Sequence, residues 1–233
     1  MEHKRLTLFA GHYGSGKTNI AVNYALLLAS EGKKVCIADL DIVNPYFRTK
    51  DSAKELEAAG IHLVSPQFAN SNVDLPALPA EAYRLVTDRA TYGIMDIGGD
   101  DRGAYALGRY VPGILEENDY RMVFVANCYR PLTRTPEEAL EVMREIEEAC
   151  KLRFTHIINN SNLGPATTAE TVRASLTYME TLSKLSGLPI FATTAVEDVA
   201  GLLSDIQPVI PLHLQEKYFD LPSQKPANRP LWG

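Results

Sequence analysis

Short runs of β-branched, aliphatic and aromatic residues alternate along the chain with segments whose apolar positions recur every three or four residues. Runs at 6–10, 34–40, 61–64, 92–97, 122–127, 154–159 and 189–194 predict strands. Seven short strands separated by helices give an α/β architecture, a parallel sheet covered on both faces. Between 135 and 150 the apolar positions Ala139, Leu140, Val142, Met143, Ile146, Ala149 and Cys150 line one helical face, and Thr135-Pro136-Glu137-Glu138 supplies a capping box with Pro in the first turn. A second helical pattern runs after Thr167 through Val172, Leu176, Met179, Leu182 and Leu185, and Ser186-Gly187-Leu188-Pro189 stops it. Residues 19–30 are apolar almost all round, as expected of a helix deeply buried against a sheet.

The 233 residues, 45% hydrophobic and 22% charged, suit one large domain over 1–233 and exclude disordered and collagen-like classes. No internal repeat is present. Composition shifts only in the tail at about 208–233, whose five prolines predict a segment that wraps the domain or stays partly mobile. The charge sum, 23 − 29 = −6, comes with no basic stripe, which argues against a nucleic-acid surface. Cys36, Cys128 and Cys150 form no C-x-x-C pair and are expected as reduced, packed thiols. No apolar stretch approaches the length of about 18 residues that a spanning helix needs, so no membrane role and a cytoplasmic location are expected.

Gly11-His12-Tyr13-Gly14-Ser15-Gly16-Lys17-Thr18 matches G-x-x-x-x-G-K-[ST] in full, after a predicted strand and before a predicted helix. Glycines let the backbone bend so that successive N–H groups and the positive helix end face phosphate oxygens. Lys17 adds a cation at the β/γ-phosphates, Thr18 an oxygen for Mg²⁺, and Asn19 completes the expected nucleotide contacts.

Asp39 and Asp41 end the second strand, where open α/β sheets bind ligands, and their spacing points both side chains the same way. Asp41 is the candidate for orienting the attacking water or the Mg²⁺ shell; the alternative is a carboxylate capping a loop. The run 92–100, ending Asp96-Ile97-Gly98-Gly99-Asp100, looks like a Walker B strand with a switch loop. Asp96 is expected to hold Mg²⁺ through water and Gly99 to place its N–H on the γ-phosphate. The sixth strand ends Asn159-Asn160-Ser161-Asn162. A guanine-reading N-K-x-D element needs an acid where Asn162 stands, whereas Asn amides pair well with the adenine N6/N7 edge. Asn159 and Asn160 are therefore expected at the nucleotide, and adenine is favoured; a plain polar strand end is the alternative.

Together these segments resemble the MinD/ParA/Mrp group of P-loop ATPases, over residues 5 to about 200. The resemblance implies a three-layer P-loop NTPase fold with a mostly parallel sheet of seven or eight strands, the phosphate-loop strand central. It further implies ATP and Mg²⁺ as cofactors, slow basal ATP hydrolysis, a protein partner and an ATP-dependent homodimer. Lys17 and Asp41 take the catalytic roles, with Thr18, Asp41 and Asp96 at the metal.

The chain departs from that group in informative places. The group's loop usually reads G-K-G-G-x-G-K-[ST], with a first Lys that reaches the partner's phosphates; His12 and Tyr13 stand in its second and third places. A protonated His12, or Arg48, Arg102 or Arg130, is the candidate replacement cation, and a solvated surface role is the alternative for each arginine. Gly103 stands where iron-protein relatives carry a cluster cysteine, and no C-x-C of the nickel insertases is present. Pro222, Pro226 and Pro230 break any membrane-binding tail helix. Asn44–Arg48, with Tyr46 and Phe47, and Asp100–Gly103 are candidate surfaces for reading nucleotide state. Three readings stay open: an ATP-driven switch in maturation or loading of a metalloenzyme or other partner, a small-molecule ligase of the dethiobiotin-synthetase type, and a nonhydrolysing binding module.

Overall fold

The alternating pattern folds into one eight-stranded sheet in the computed structural model, which describes residues 2–40, 52–64, 80–98, 101–206 and 208–214. The strands are β1 (Leu6–Ala10), β2 (Val35–Leu40), β3 (His62–Val64), β4 (Tyr92–Ile97), β5 (Tyr120–Ala126), β6 (His156–Asn159), β7 (Ile190–Val196) and β8 (Val209–Leu212). Their order is β3-β2-β4-β1-β5-β6-β7-β8, and every pairing is parallel. The chain leaves β1 to build one half of the sheet, then crosses back to β5 on its other side. This reversal opens a crevice at the carboxyl end of β1, the place where open α/β sheets take ligands.

The described helices are α1 (Lys17–Ser30), α2 (Ala53–Ala58), α3 (Arg84–Thr87), α4 (Asp101–Gly108), α5 (Val111–Glu117), α6 (Pro136–Cys150), α7 (Ala169–Ala174), α8 (Leu176–Ser186) and α9 (Glu197–Ala200). Alternation along the strands divides the core into two layers. Leu6, Leu8, Met95, Met122, Phe124 and Ile157 face α4, α5, α6 and α8, whereas Phe9, Ile37, Ile94, Val123 and Ile158 face α1 and α2. The helix α1 is buried along most of its length, as its sequence requires. At the opposite, amino end of the sheet, Arg5 is 6% exposed, ion-paired with Glu117, and donates to the carbonyls of Leu85 at 2.8 Å and Thr91 at 3.1 Å. These bonds tie β1 to the segment that leads into β4.

The structure differs from the sequence expectation in the tail, in one helical pattern and at two strand ends. The tail contributes β8: Val209–Leu212 pairs with β7 at the sheet edge, and an edge strand tolerates Pro211 because one side of its backbone needs no partner. The helical pattern after Thr167 divides into α7 and α8 at Ser175. The Ser175 hydroxyl, fully buried, donates to the Val172 carbonyl at 2.6 Å and accepts from Asn159 Nδ2 at 2.9 Å, so a side-chain bond competes with the helical ladder there. Finally, β5 starts at Tyr120 and β7 reaches Val196, because both keep pairing with their neighbours beyond the apolar run. The capping box of α6 forms as expected, with Thr135 accepting from Glu138 N at 3.2 Å and Glu138 accepting from Thr135 N at 3.1 Å.

Candidate functional site

The phosphate-loop sequence leaves β1 at Gly11 and enters α1 at Lys17. Two glycines have specific steric reasons. A Cβ on Gly11 would stand 2.7 Å from the Val125 carbonyl of the neighbouring strand. Gly16 has φ +92°, a left-handed conformation, and a Cβ there would collide with the Asn160 amide. Within the loop, Ser15 N donates to the His12 carbonyl at 3.1 Å and Lys17 Nζ to the same carbonyl at 3.3 Å. The His12 ring lies 3.0 Å from the Tyr13 carbonyl through Nδ1.

Asn160 locks this loop to the sheet. Just past the end of β6 and 4% exposed, it donates from Nδ2 to the Ser15 carbonyl at 2.6 Å and accepts at Oδ1 from the Thr194 hydroxyl at 2.7 Å. Its own N–H donates to the Ala126 carbonyl at 2.8 Å. One side chain thus fixes the phosphate loop against the ends of β6 and β7.

Above this brace lies a cleft of about 290 Å³. Its floor is Tyr13, Gly14, Gly16, Lys17, Thr18 and Asn19, and Arg130 rises beside it from the segment after β5. The far wall comes from the ends of the outer strands: Asn160, Asn162, Gly164 and Thr167 after β6, Thr194, Ala195 and Val196 on β7, and Leu212 and Leu214 at β8. The cleft therefore has a polar, cationic end at β1 and β5 and a more apolar end at β7 and β8. That division suits a ligand with a charged end and a flat apolar end.

The residues expected at the site fall into four groups. Tyr13, Gly14, Gly16, Lys17, Thr18, Asn19 and Asn160 line the cleft, while Gly11 and the buried Ser15 shape it from beneath. His12 is outside the lining. Asn159 is not brought to the cleft: fully buried, it donates to the Ser175 hydroxyl at 2.9 Å and accepts from Ser161 N at 3.1 Å, so its amide is committed to holding the segments after β6. Asn162 does line the cleft, but its amide closes its own loop, donating to the Asn160 carbonyl at 2.8 Å and accepting from Gly164 N at 3.1 Å. Asp41 and Gly99 lie outside the described residues, as do Asn44–Arg48.

Asp39 and Asp96 are register neighbours on β2 and β4, both buried, on the face that α1 covers. Thr18 is at the amino end of that helix. Among the described residues no group of three or more His, Cys, Asp or Glu side chains could hold a metal ion by itself. Mg²⁺ at nucleotide sites draws on one or two protein oxygens and on the phosphates, a set that the Thr18 hydroxyl and the Asp96 carboxylate fit.

The sequence reading missed the wall at Thr194–Val196 and the two leucines of the tail. Thr194–Val196 carry a usable signal, since they close a strand at the ligand edge of the sheet. The leucines carry none, because they follow prolines in a stretch without periodicity.

No protein-family model matches the chain, and no curated protein matches it. Solved structures do. The cell division protein FtsY of Thermotoga maritima superposes with a TM-score of 0.56 at 19% identity, over 84% of this chain and 63% of that one. The signal recognition particle 54 kDa protein of Aeropyrum pernix K1, solved in complex with GDP, superposes with a TM-score of 0.50 at 18% identity, over 79% of this chain and 40% of that one. This chain spans less than two thirds of either protein's length. At such identities the likeness establishes architecture, and it agrees with the phosphate loop on the central strand: the chain has the three-layer α/β fold of the P-loop NTPases.

Proposed function

We propose that this protein is a Mg²⁺-dependent ATP-binding and ATP-hydrolysing switch of the MinD/ParA/Mrp kind, with slow basal turnover raised by a partner. The observation that carries the reading is the cleft itself: a complete G-x-x-x-x-G-K-[ST] loop on the central strand, braced by Asn160, whose polar end carries Lys17 and Thr18 and whose other end is walled by leucines. The backbone N–H groups of 14–19 and the amino end of α1 bind the phosphates, and Lys17 swings from the His12 carbonyl to the β/γ oxygens. When bound, Mg²⁺ neutralises phosphate charge, with Thr18 and Asp96 as its protein oxygens. Asp41 orients the attacking water.

Adenine is supported by Asn162 standing where a guanine reader needs an acid. The GDP bound to the 54 kDa relative in fold makes GTP the competitor to test. The resemblance to the MinD/ParA/Mrp group supports an ATP-dependent homodimer and a role in loading or maturing a partner protein.

Titration calorimetry with ATP and with GTP, each with and without Mg²⁺, tests the reading. Binding of Mg-ATP by the wild-type protein, its loss in Lys17→Ala, and weaker GTP binding are expected. Equal affinity in Lys17→Ala refutes the site, and a preference for GTP refutes the base assignment.

A further inference from the structure

We propose that Arg130 is a phosphate-binding residue acting in cis, a cation that the segment after β5 delivers to the phosphate end of the protein's own cleft. This rests on the nucleotide reading above and extends it to a residue outside the phosphate-loop motif. Arg130 lines the cleft together with Gly14 and Lys17, half-buried, with its Nε 4.0 Å from where a Cβ on Gly14 would stand. That Nε is buried and has no hydrogen-bond partner among the described residues. A guanidinium with a desolvated, unsatisfied N–H is costly to maintain unless an acceptor arrives. No Asp or Glu stands among the described residues that line the cleft, so the acceptor that suits the arginine there is an anionic ligand.

The segment bearing Arg130 is built to hold it still. Asn127, fully buried, accepts at its carbonyl from Arg130 N at 3.1 Å and from the Thr133 hydroxyl at 2.8 Å, and at Oδ1 from Tyr129 N at 3.0 Å. The Tyr178 phenol, raised above its ordinary pKa by burial first and by Cys128 and nearby glutamates next, stays a neutral donor to the Thr133 carbonyl at 2.9 Å. Tyr129 donates its own hydroxyl to the Thr171 carbonyl at 2.8 Å. Leu132 closes the turn at φ +64°, a left-handed conformation unusual for a bulky residue and tolerated here because the surrounding bonds over-determine the turn. A rigid turn that carries strain and presents an arginine at a phosphate loop is an expected form for a preorganised anion contact.

Sheet order assigns the arginine to phosphate rather than base. β5 is the direct neighbour of the phosphate-loop strand β1, whereas the apolar end of the cleft lies two and three strands farther along, at β7 and β8. Arg130 is thereby placed to supply, from within one chain, charge that a second-position lysine would bring; His12 occupies that loop position.

The test measures Mg-ATP, Mg-ADP and inorganic tripolyphosphate binding to wild type, Arg130→Ala and Arg130→Lys, the last ligand by competition, together with the ligand-free melting temperature. Arg130→Ala should weaken ATP and tripolyphosphate alike, by about 10- to 100-fold, the range for losing a charge-assisted hydrogen bond. Arg130→Lys should recover part of the loss, and the ligand-free melting temperature should hold or rise in Arg130→Ala as an unsatisfied buried N–H is removed. Unchanged ATP affinity in Arg130→Ala overturns the inference alone, as does a loss confined to ATP with tripolyphosphate unaffected, which would place the arginine on the base. A ligand-free melting temperature that falls as far as in Asn160→Ala also overturns it, since Arg130 would then be structural. A wild-type protein that binds none of the three ligands removes the nucleotide reading and this inference with it.

Discussion

Asn160→Ala is the most informative single change in this structure. It removes the bond from Nδ2 to the Ser15 carbonyl at 2.6 Å and the bond from the Thr194 hydroxyl to Oδ1 at 2.7 Å. Each buried neutral bond contributes about 1 kcal/mol, and leaving the carbonyl of the fully buried Ser15 unsatisfied adds about 1 kcal/mol more, a total near 3 kcal/mol. For a chain of this size that lowers the melting temperature by about 6–12 °C. Asn160→Asp separates the two bonds: it keeps the acceptor for Thr194 but sets a carboxylate oxygen against the Ser15 carbonyl. Burial and that carbonyl hold the introduced carboxyl's pKa above its unfolded value, so the penalty of Asn160→Asp grows as pH rises from acid to neutral. In a cycle with Thr194→Val, the double variant should be more stable than additivity predicts by about 1 kcal/mol, because the two side chains share one bond. Thermal and urea unfolding read the stabilities, and ATP titration reads the loop. Additive effects, or an Asn160→Asp protein as stable as wild type at neutral pH, would refute the brace.

Three further outcomes follow from local geometry. Thr135→Ala removes the side chain that accepts from Glu138 N at 3.2 Å and should cost about 1 kcal/mol by urea unfolding, with ATP affinity retained. Leu132→Gly relieves a left-handed φ of +64° and should raise stability by up to about 1 kcal/mol, a gain that a drop in the urea midpoint would contradict. Burial, and after it the charge of Arg121, holds the His156 imidazole below its ordinary pKa, so the unfolded chain binds the proton more readily. That contribution to stability is present above about pH 6.5 and is lost as the pH falls through the lower folded value. His156→Leu should flatten the pH dependence of the urea midpoint below pH 7, and an unchanged slope would remove His156 as its source.

Sheet, layers and phosphate loop were legible in the sequence because each rests on local physics. Seven strand runs announced themselves by apolar residues that must be buried on both faces, and the loop by glycines whose spacing a phosphate cradle dictates. What local pattern could not supply was competition from distant partners. Residue 175 reads as an ordinary position in a helix, yet its hydroxyl is taken by Asn159, sixteen residues away in sequence, and the helix divides there. The eighth strand was hidden by Pro211, which argues against a strand until the segment is known to lie at an edge. With that strand went Leu212 and Leu214, and so the apolar end of the cleft.

The paired asparagines show where the missing information lies. Side chains alternate along a strand, so Asn159 and Asn160 cannot face the same way, and only one of them can meet the phosphate loop. The choice follows from parity once the side of α1 is known: Ile158 packs toward α1, so Asn160, two residues on, turns to that side, and Asn159 turns with Ile157 toward α8. The sequence displays the alternation but not which face the first helix covers. In a right-handed crossover from β1 to β2 that face is fixed by chain handedness, and the packing of Ile158 against it then sets the phase that selects Asn160. By the same parity Asp96, in register with Phe9 on the α1 face, turns toward the helix that begins with Lys17 and Thr18.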